Sequence, residues 1–337
     1  MSKQKRLGRS RWIPWNGMTL AVLMMAVMAV MILMTGCSGE TYPPEGETLS
    51  LVWGEGSSGV PSTGDVLELP CTDPFADAPH TLRVDFLNTG ESDAILMRLD
   101  DTVILMDTGE ADDYDTISGR LSAYGITTIH HLILTHFDND HIGTAAAILQ
   151  NYTVEAVYMP DYVRDSVRYR RMMSMLELVD TEVHRVTSDV AIPLPMGELV
   201  INPTALYESG LVLGEDDRHA TEENDFSLIT KVSFGEIQLL FMGDAEQARL
   251  LEFMEAEGDF SYDLVKIPHH GGYDKALGDL LRGCEGIRYC VVHTGDISLV
   301  EDSLVRAMQT SGATAYYTCN GDVRFATDGV TMTVVQD

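Results

Sequence analysis

The stretch Thr135-His136-Phe137-Asp138-Asn139-Asp140-His141 decides the fold of this chain. Four of its seven residues are His or Asp, and it follows the apolar run His131-Leu132-Ile133-Leu134, which is typical of a buried strand. Layered α/β proteins build their sites from such side chains at the carboxyl ends of strands. A tight turn here can direct one pair of side chains to one metal and the next pair to a second metal, roughly 3–4 Å away. The alternative is a polar loop that only caps the helix predicted at residues 143–149, with Asp140 near its N-terminus.

The first 36 residues have the composition of a secretory signal peptide. Five basic residues precede an uncharged apolar run at residues 18–34. The motif Leu33-Met34-Thr35-Gly36-Cys37 resembles a bacterial lipobox, in which the peptide is cut before the Cys and that Cys is lipidated. We therefore predict a lipoprotein anchored to the bacterial cell membrane through Cys37, with its bulk outside the cytoplasm. An uncleaved anchor is the alternative, because this uncharged run of 17 residues reaches the lower limit of a membrane span.

The chain is strongly acidic. It carries 22 Lys and Arg residues against 52 Asp and Glu residues, a formal net charge of −30, and without residues 1–36 only 17 basic residues remain. Such a surface repels polyanions at long range, so strong non-specific nucleic-acid binding is not expected. One basic cluster stands in a helix predicted at residues 162–178, and it consists of Arg164, Arg168, Arg170 and Arg171. A solvated face is the usual role of such a cluster, but beside a site it could meet an anionic substrate.

The remaining sequence divides into a linker and one patterned domain. Residues 37–79 are rich in Gly, Ser, Pro and Thr and predict a flexible tether, whereas residues 80–337 carry the apolar patterns of a folded domain. Short segments with period-two alternation predict an antiparallel meander at residues 81–87, 94–99 and 102–106.

A second meander is predicted at residues 226–232 and 237–242. Strands and helices alternate after each meander, so the pattern predicts two mixed sheets packed between helices. In the second half we predict a helix at 245–257 that buries Ala248, Leu251 and Met254, and a closing hairpin through Asn320-Gly321.

Ligand-type side chains follow predicted strands at four places, which are Asp107, the loop 136–141, Asp244 and the pair His269-His270. Buried carboxylates and imidazoles without partners are costly, so a cluster of them at one edge implies compensating cations.

This combination resembles the metallo-β-lactamase superfamily, whose loop usually reads His-x-His-x-Asp-His. Here the loop is His136-x-Asp138-x-Asp140-His141, with Asp in place of the second His. This form of the loop resembles the one found in the secreted branch of the superfamily, which contains ComEC-type competence proteins and surface choline-phosphate esterases. The likeness covers about residues 80–330 through the motifs VDFLNTGESDA (84–94), LMDTG (105–109), NDFSL (224–228), MGDAE (242–246) and KIPHHGG (266–272). It implies an αββα sandwich, with two mixed β-sheets between helices.

The resemblance also implies roles for the strand-end residues. They would form two metal positions, with one metal on His136 and Asp138, the other on Asp140, His141 and one of His269 and His270, and Asp244 as the bridge. Asp140 and Asp244 are the expected catalytic carboxylates, and Asp107 would orient the loop from behind.

Two departures from the family pattern stand out. The superfamily's middle His motif has no clear match between residues 150 and 240, where Asn224 and His219 are the candidates. The His-Pro pair that the ComEC-type pattern expects near residue 293 is also missing.

The expected chemistry follows from the ligand types. Two divalent cations that share a water lower its pKa from 15.7 to roughly 7 and hold the oxygens of the scissile group. His and carboxylate ligands suit zinc, with manganese and iron as alternatives. We therefore predict an extracytoplasmic metal-dependent hydrolase, with a phosphodiesterase acting on a small phosphodiester or a surface polymer as the first choice. A choline-phosphate esterase and a lipoprotein that binds metal or ligand without turnover are the alternatives.

Overall fold

The computed structural model describes residue 75 and the ranges 77–206, 211–214, 223–258 and 260–337. The predicted signal peptide, Cys37, nearly all of the predicted tether and His219 lie outside the described residues. Among the described helices, none is both long and apolar enough to cross a membrane.

The first half of the domain supplies seven strands and four helices. In chain order they are β1 (Leu82–Phe86), β2 (Ile95–Leu99), β3 (Thr102–Met106), α1 (Tyr114–Ala123), β4 (Thr128–Ile133), the single turn α2 (Asn139–Ile142), α3 (Ala145–Asn151), β5 (Thr153–Pro160), β6 (Val163–Asp165), α4 (Val167–Leu176) and β7 (Glu182–Val186).

Among the described residues, the second half supplies ten strands and three α-helices with defined bounds. They are β8 (Val190–Leu194), β9 (Gly197–Asn202), β10 (Val212–Gly214), β11 (Ile229–Phe234), β12 (Ile237–Phe241), α5 (Gln247–Glu257), β13 (Leu264–Lys266), α6 (Lys275–Gly283), β14 (Tyr289–Val292), α7 (Asp302–Ser311), β15 (Thr314–Tyr317), β16 (Val323–Thr327) and β17 (Met332–Gln336).

Fifteen of these strands form the two mixed sheets that the sequence predicts, and β6 and β10 form a separate two-stranded sheet. The eight-stranded sheet has the order β17-β16-β1-β2-β3-β4-β5-β7, and the seven-stranded sheet has the order β15-β14-β13-β12-β11-β9-β8. In each sheet an antiparallel part changes to a parallel part, at the β3–β4 pair in the first and at the β12–β13 pair in the second. Because parallel strands run the same way, their carboxyl ends share one edge of each sheet.

Three apolar layers hold the sandwich together. The central layer joins the inner faces of the two sheets, where Phe86 stacks on Phe241 with ring centroids 6.0 Å apart. A second layer packs the helices of the first half on the outer face of the eight-stranded sheet, and a third packs α5, α6 and α7 on the seven-stranded sheet. The predicted αββα sandwich is confirmed.

Two predicted helices differ from those observed. Residues 163–165 form β6, which pairs in parallel with β10, and α4 begins only after Ser166, whose Oγ accepts a hydrogen bond from the Tyr169 N–H. Helix α5 buries Arg249, Leu250 and Phe253 instead of the predicted apolar set, and Leu251 is 49% exposed. The face of α5 that carries Arg249 turns inward because its guanidinium donates hydrogen bonds to the Ser227 carbonyl, at 3.1 Å, and to the Asn202 carbonyl, at 2.9 Å.

The predicted hairpin through Asn320-Gly321 is wrong. Strand β15, before this turn, pairs with β14 in the seven-stranded sheet, whereas β16, after it, pairs with β1 in the eight-stranded sheet. The turn therefore carries the chain from one sheet to the other, and the closing hairpin is β16–β17. Strands β7, β8 and β9 lie where no strand is predicted, because their short segments alternate too weakly to be recognised.

Candidate metal centre

The predicted strand-end residues meet where the carboxyl edges of the two sheets touch. The Leu228 N–H donates a hydrogen bond to the Thr135 carbonyl across this junction, at 2.9 Å. Gly243 has a φ of 53°, and a Cβ at this position would lie 2.8 Å from the Thr135 Cβ. Glycine therefore permits the close approach that brings the end of β12 against the end of β4.

Two imidazoles and two carboxylates converge at this junction. One ligand atom from each of Asp140, His141, Asp244 and His270 lies within 4.8 Å of the others. The Asp244 Oδ2 is 3.2 Å from the Nε2 atoms of both His141 and His270, and the Asp140 Oδ2 is 3.1 Å from the His270 Nε2. The His141 Nε2 is buried and forms no hydrogen bond despite this proximity. Ring nitrogens and carboxylate oxygens aimed at a common point fit a divalent metal.

The electrostatics of this group favour positive charge at its centre. Burial disfavours the imidazolium form, but the charge of Asp244 and the hydrogen bonds that His270 donates to Asp140 and Asp244 raise the pKa of His270 to about 10. The pKa of His141 is raised well above its usual value against the same effect of burial, by Asp244 and Asp107. A bound cation would supply this positive charge in place of the two protons.

Asp107 lies behind His141 and orients its ring. The His141 Nδ1 is 2.9 Å from the Asp107 Oδ2, and Asp107 accepts hydrogen bonds from the N–H and the hydroxyl of Thr135. This leaves the Nε2 of His141 to face the metal position. Asp107 thus lies behind the loop, where its predicted orienting role would place it, and a carboxylate in such a position raises the basicity of a metal-binding histidine.

The backbone of the site is held in an unusual conformation. Four non-glycine residues in the described part of the chain have a positive φ, and three of them, Asp107, His269 and His270, lie here with values between 49° and 56°. Such angles are uncommon outside glycine and concentrate at functional sites, where surrounding contacts impose them.

The structure distinguishes the two neighbouring histidines of the pair. His270 enters the four-residue group, whereas the His269 side chain is 46% exposed and its Nδ1 lies 3.1 Å from the Glu246 Oε1. The His269 backbone N–H still serves the site, because it donates to the Asp244 Oδ1 at 3.1 Å.

His136 and Asp138, predicted to hold the other metal, lie beside the group. The His136 Nε2 is 3.7 Å from the Asp138 Oδ2, and its ring centroid is 4.1 Å from that of His141. This Nε2 is buried without a hydrogen-bond partner, as a ligand position would leave it. Asp138 also faces Arg164, at 3.7 Å.

Of the two candidates for the middle His, His219 lies outside the described residues, and Asn224 does not complete this position. Asn224 donates a hydrogen bond to the Glu246 Oε1 at 3.0 Å and lies outside the four-residue group. Its neighbour Glu223 approaches the site instead, through a buried ion pair with Arg164.

Three buried residues of the site are absent from the predicted set, and they are Asp93, Lys266 and His293. Lys266 is fully buried; its Nζ pairs with Asp93, donates to the Gly243 carbonyl at 2.9 Å and lies 3.7 Å from the Asp244 Oδ1. The His293 Nδ1 is 3.2 Å from the Asp93 Oδ1, and burial lowers the pKa of His293 to about 4 despite that charge. A lysine within the apolar run Leu264-Val265-Lys266-Ile267 is the signal that could have identified it, because lysine is rarely buried without a partner.

Two mixed sheets between helices, with imidazoles and carboxylates gathered at their carboxyl edges, define an α/β protein built around a metal site. The chain belongs to the metallo-β-lactamase superfamily, whose sequence profile matches residues 87–317. This family membership and the converging ligand group make it a metal-dependent hydrolase.

The chain is similar to several proteins of known sequence or structure. It is 24% identical over 207 residues to ComE operon protein 3 of Bacillus subtilis, a match that covers 56% of this chain but only 25% of that protein. Among solved structures it is similar to the metallo-β-lactamase fold protein YhfI from Bacillus subtilis, with 14% identity, a TM-score of 0.45 and coverage of 71% of this chain and 95% of that one. It is also similar to CmlA, a diiron β-hydroxylase from Streptomyces venezuelae, with 17% identity, a TM-score of 0.42 and coverage of 76% and 54%.

Proposed function

We propose that this chain is an extracytoplasmic phosphodiesterase that uses two divalent metals, with zinc as the first choice and manganese or iron as alternatives. The observation that carries the proposal is the convergence of Asp140, His141, Asp244 and His270 on one point. A divalent metal bound there would activate a water molecule and polarise the phosphoryl oxygens.

The protein's own residues would prepare this chemistry. His141 and His270 would hold the metal on one side, with Asp140 and Asp244 on the other, and Asp107 would keep the His141 ring in place. The Arg164 guanidinium, 3.7 Å from Asp138, supports an anionic substrate because it places a positive charge next to the site in an otherwise acidic chain.

The first prediction is that the purified full chain hydrolyses bis(p-nitrophenyl) phosphate and that chelation of its metal abolishes the reaction. Adding back zinc or manganese should restore the rate, because the domain that carries the ligand residues should remain folded without the ion. The release of p-nitrophenolate and the metal content, measured on the same samples, check both statements. A metal-loaded protein that hydrolyses no phosphodiester would favour the alternative of a binding protein without turnover.

The same assay tests whether the protein prefers a small diester to a long duplex. With 52 acidic against 22 basic residues, the chain should cleave duplex DNA poorly and the small diester with weak salt dependence. Rates are to be compared on the two substrates across a salt series. Duplex DNA cleaved faster than the small diester, with binding that weakens steeply as salt rises, would instead identify a nuclease.

The second prediction concerns location and rests on the lipobox at residues 33–37. Replacement of Cys37 by Ser should release the protein from membranes, because the lipid acceptor is lost. Membrane and soluble fractions are compared by immunoblot, and intact-mass measurement shows whether residues 1–36 are still attached. A Cys37→Ser variant that stays membrane-bound and retains residues 18–34 would mean that this segment is an uncleaved anchor.

A further inference from the structure

A cavity of about 320 Å³ opens beside the metal centre. Among the described residues, three arginines line it, Arg164, Arg168 and Arg171, together with a single carboxylate, Asp138. Asp138 forms the wall between the cavity and the centre, because its Oδ2 is 3.7 Å from the His136 Nε2 and its Oδ1 is 3.7 Å from the Arg164 Nη2. A molecule that reaches from the metal centre past Asp138 therefore enters a basic cavity.

Arg164 is fixed in place at the inner end of this cavity. Its side chain is 14% exposed, and its Nη1 pairs with the fully buried carboxylate of Glu223. The other oxygen of Glu223 accepts a hydrogen bond from the Tyr162 hydroxyl at 2.8 Å, and this hydroxyl accepts one from the Phe137 N–H at 3.0 Å. The guanidinium is thus held in position before any ligand arrives, which lowers the entropic cost of binding.

Arg168 and Arg171 differ from Arg164 in their ion pairing. They stand three residues apart on α4, so they share one face of the helix, and no carboxylate of the described residues forms an ion pair with either. Their helix neighbour Arg170 lies outside the cavity lining and pairs with Asp165. In a chain with a net charge of −30, two arginines on one cavity wall that have no carboxylate partner among the described residues leave room for an external anion.

The start of α4 adds to the positive potential. Ser166 caps the helix by accepting a hydrogen bond from the Tyr169 N–H, and Ser166 and Val167 both line the cavity. The first-turn N–H groups of a helix have no partner within the helix, and its N-terminus carries a partial positive charge.

We infer that this cavity binds a second anionic group of the substrate, a phosphate monoester, while the scissile phosphodiester lies at the metal centre. The inference rests on the proposed function and narrows its substrate class to phosphodiesters with a further terminal phosphate. Guanidinium groups bind phosphate oxygens through paired N–H groups, and the charges of Arg168 and Arg171 together match that of a phosphate dianion.

The test compares two chromogenic diesters, p-nitrophenyl thymidine 5′-phosphate and the same compound with a phosphate on its 3′ oxygen. The metal-loaded wild-type protein should show a kcat/KM for the 3′-phosphorylated diester that is higher by about 10- to 100-fold, as expected for charge-assisted hydrogen bonds. The double variant Arg168→Ala/Arg171→Ala should lose this preference and keep its rate on the unphosphorylated diester. Arg170→Ala, on the same helix and outside the cavity, is the matched control and should behave as wild type.

A binding measurement separates this inference from the proposed function. Titration calorimetry with thymidine 3′,5′-bisphosphate requires no turnover, and its affinity should fall about tenfold or more in the double variant but not in Arg170→Ala. Loss of binding in the double variant, with no diester hydrolysed by the wild type, would support the anion site and refute the proposed activity. Equal rates on the two diesters, with bisphosphate binding unchanged by the double substitution, would overturn the anion site while the phosphodiesterase activity stands.

Discussion

Replacement of Asp244 by Asn should lower the bound metal and reduce hydrolysis of bis(p-nitrophenyl) phosphate by on the order of 10³-fold or more. Asp244 is the residue on which the site converges, since both ring nitrogens of the group lie 3.2 Å from its Oδ2. Asn preserves the shape of the side chain but removes the charge that attracts the cation. Metal content by mass spectrometry and the hydrolysis rate are measured on the same preparation.

The matched control for this variant is Asp279→Asn. The Asp279 side chain is 41% exposed and pairs only with Arg282 among the described residues, so its loss should change neither metal content nor rate. Circular dichroism should show that both variants keep the fold. An Asp244→Asn protein that still binds two metals tightly and retains full activity would remove Asp244 from the metal centre.

Replacement of Lys266 by Met should cost about 3–5 kcal/mol of unfolding free energy, the range found when one partner of a buried ion pair is removed. Lys266 is fully buried, and although burial disfavours its charged form, Asp93 and Asp244 raise its pKa. The substitution leaves the Asp93 carboxylate buried without its ammonium partner. Urea unfolding of the metal-free proteins measures the change without a contribution from bound metal.

Two further variants test whether the loss of the Lys266–Asp93 ion pair causes this decrease in stability. Lys275→Met, at an exposed lysine that begins α6, should change stability by less than about 0.5 kcal/mol. The double variant Lys266→Met/Asp93→Asn should lose less stability than the sum of the two single variants, because the second change removes the unpaired charge. Additive losses would show that Lys266 and Asp93 stabilise the fold independently of each other.

The stability and the activity of this site thus depend on neighbouring but different charges. Asp244 faces the ligand group with one oxygen, while its other oxygen accepts the His269 N–H and lies 3.7 Å from the Lys266 Nζ. The ammonium, itself paired with Asp93, lies behind this carboxylate, on the side away from the ligand group. This explains why a lysine stands on β13, in the fully buried interior of a sheet.

The amino-acid sequence by itself determined the fold class and the location of the site. Period-two segments and the apolar runs between helices predicted both mixed sheets, because alternation and helical spacing are local properties of the chain. Polar ligand-type residues directly after strands predicted where the site would lie, since the carboxyl ends of neighbouring parallel strands must share an edge. The superfamily resemblance drawn from these motifs is confirmed by the match over residues 87–317.

Only the tertiary structure decided which side chains meet. His270 and Asp140 are separated by 130 residues in the sequence, and no local pattern distinguishes His270 from its neighbour His269. The same holds for the Lys266–Asp93 ion pair, for Arg164 with Glu223, and for the turn at Asn320-Gly321 that joins two sheets instead of two hairpin strands. These features depend on contacts between distant segments, which form only when the sheets pack, and sequence periodicity carries no information about them.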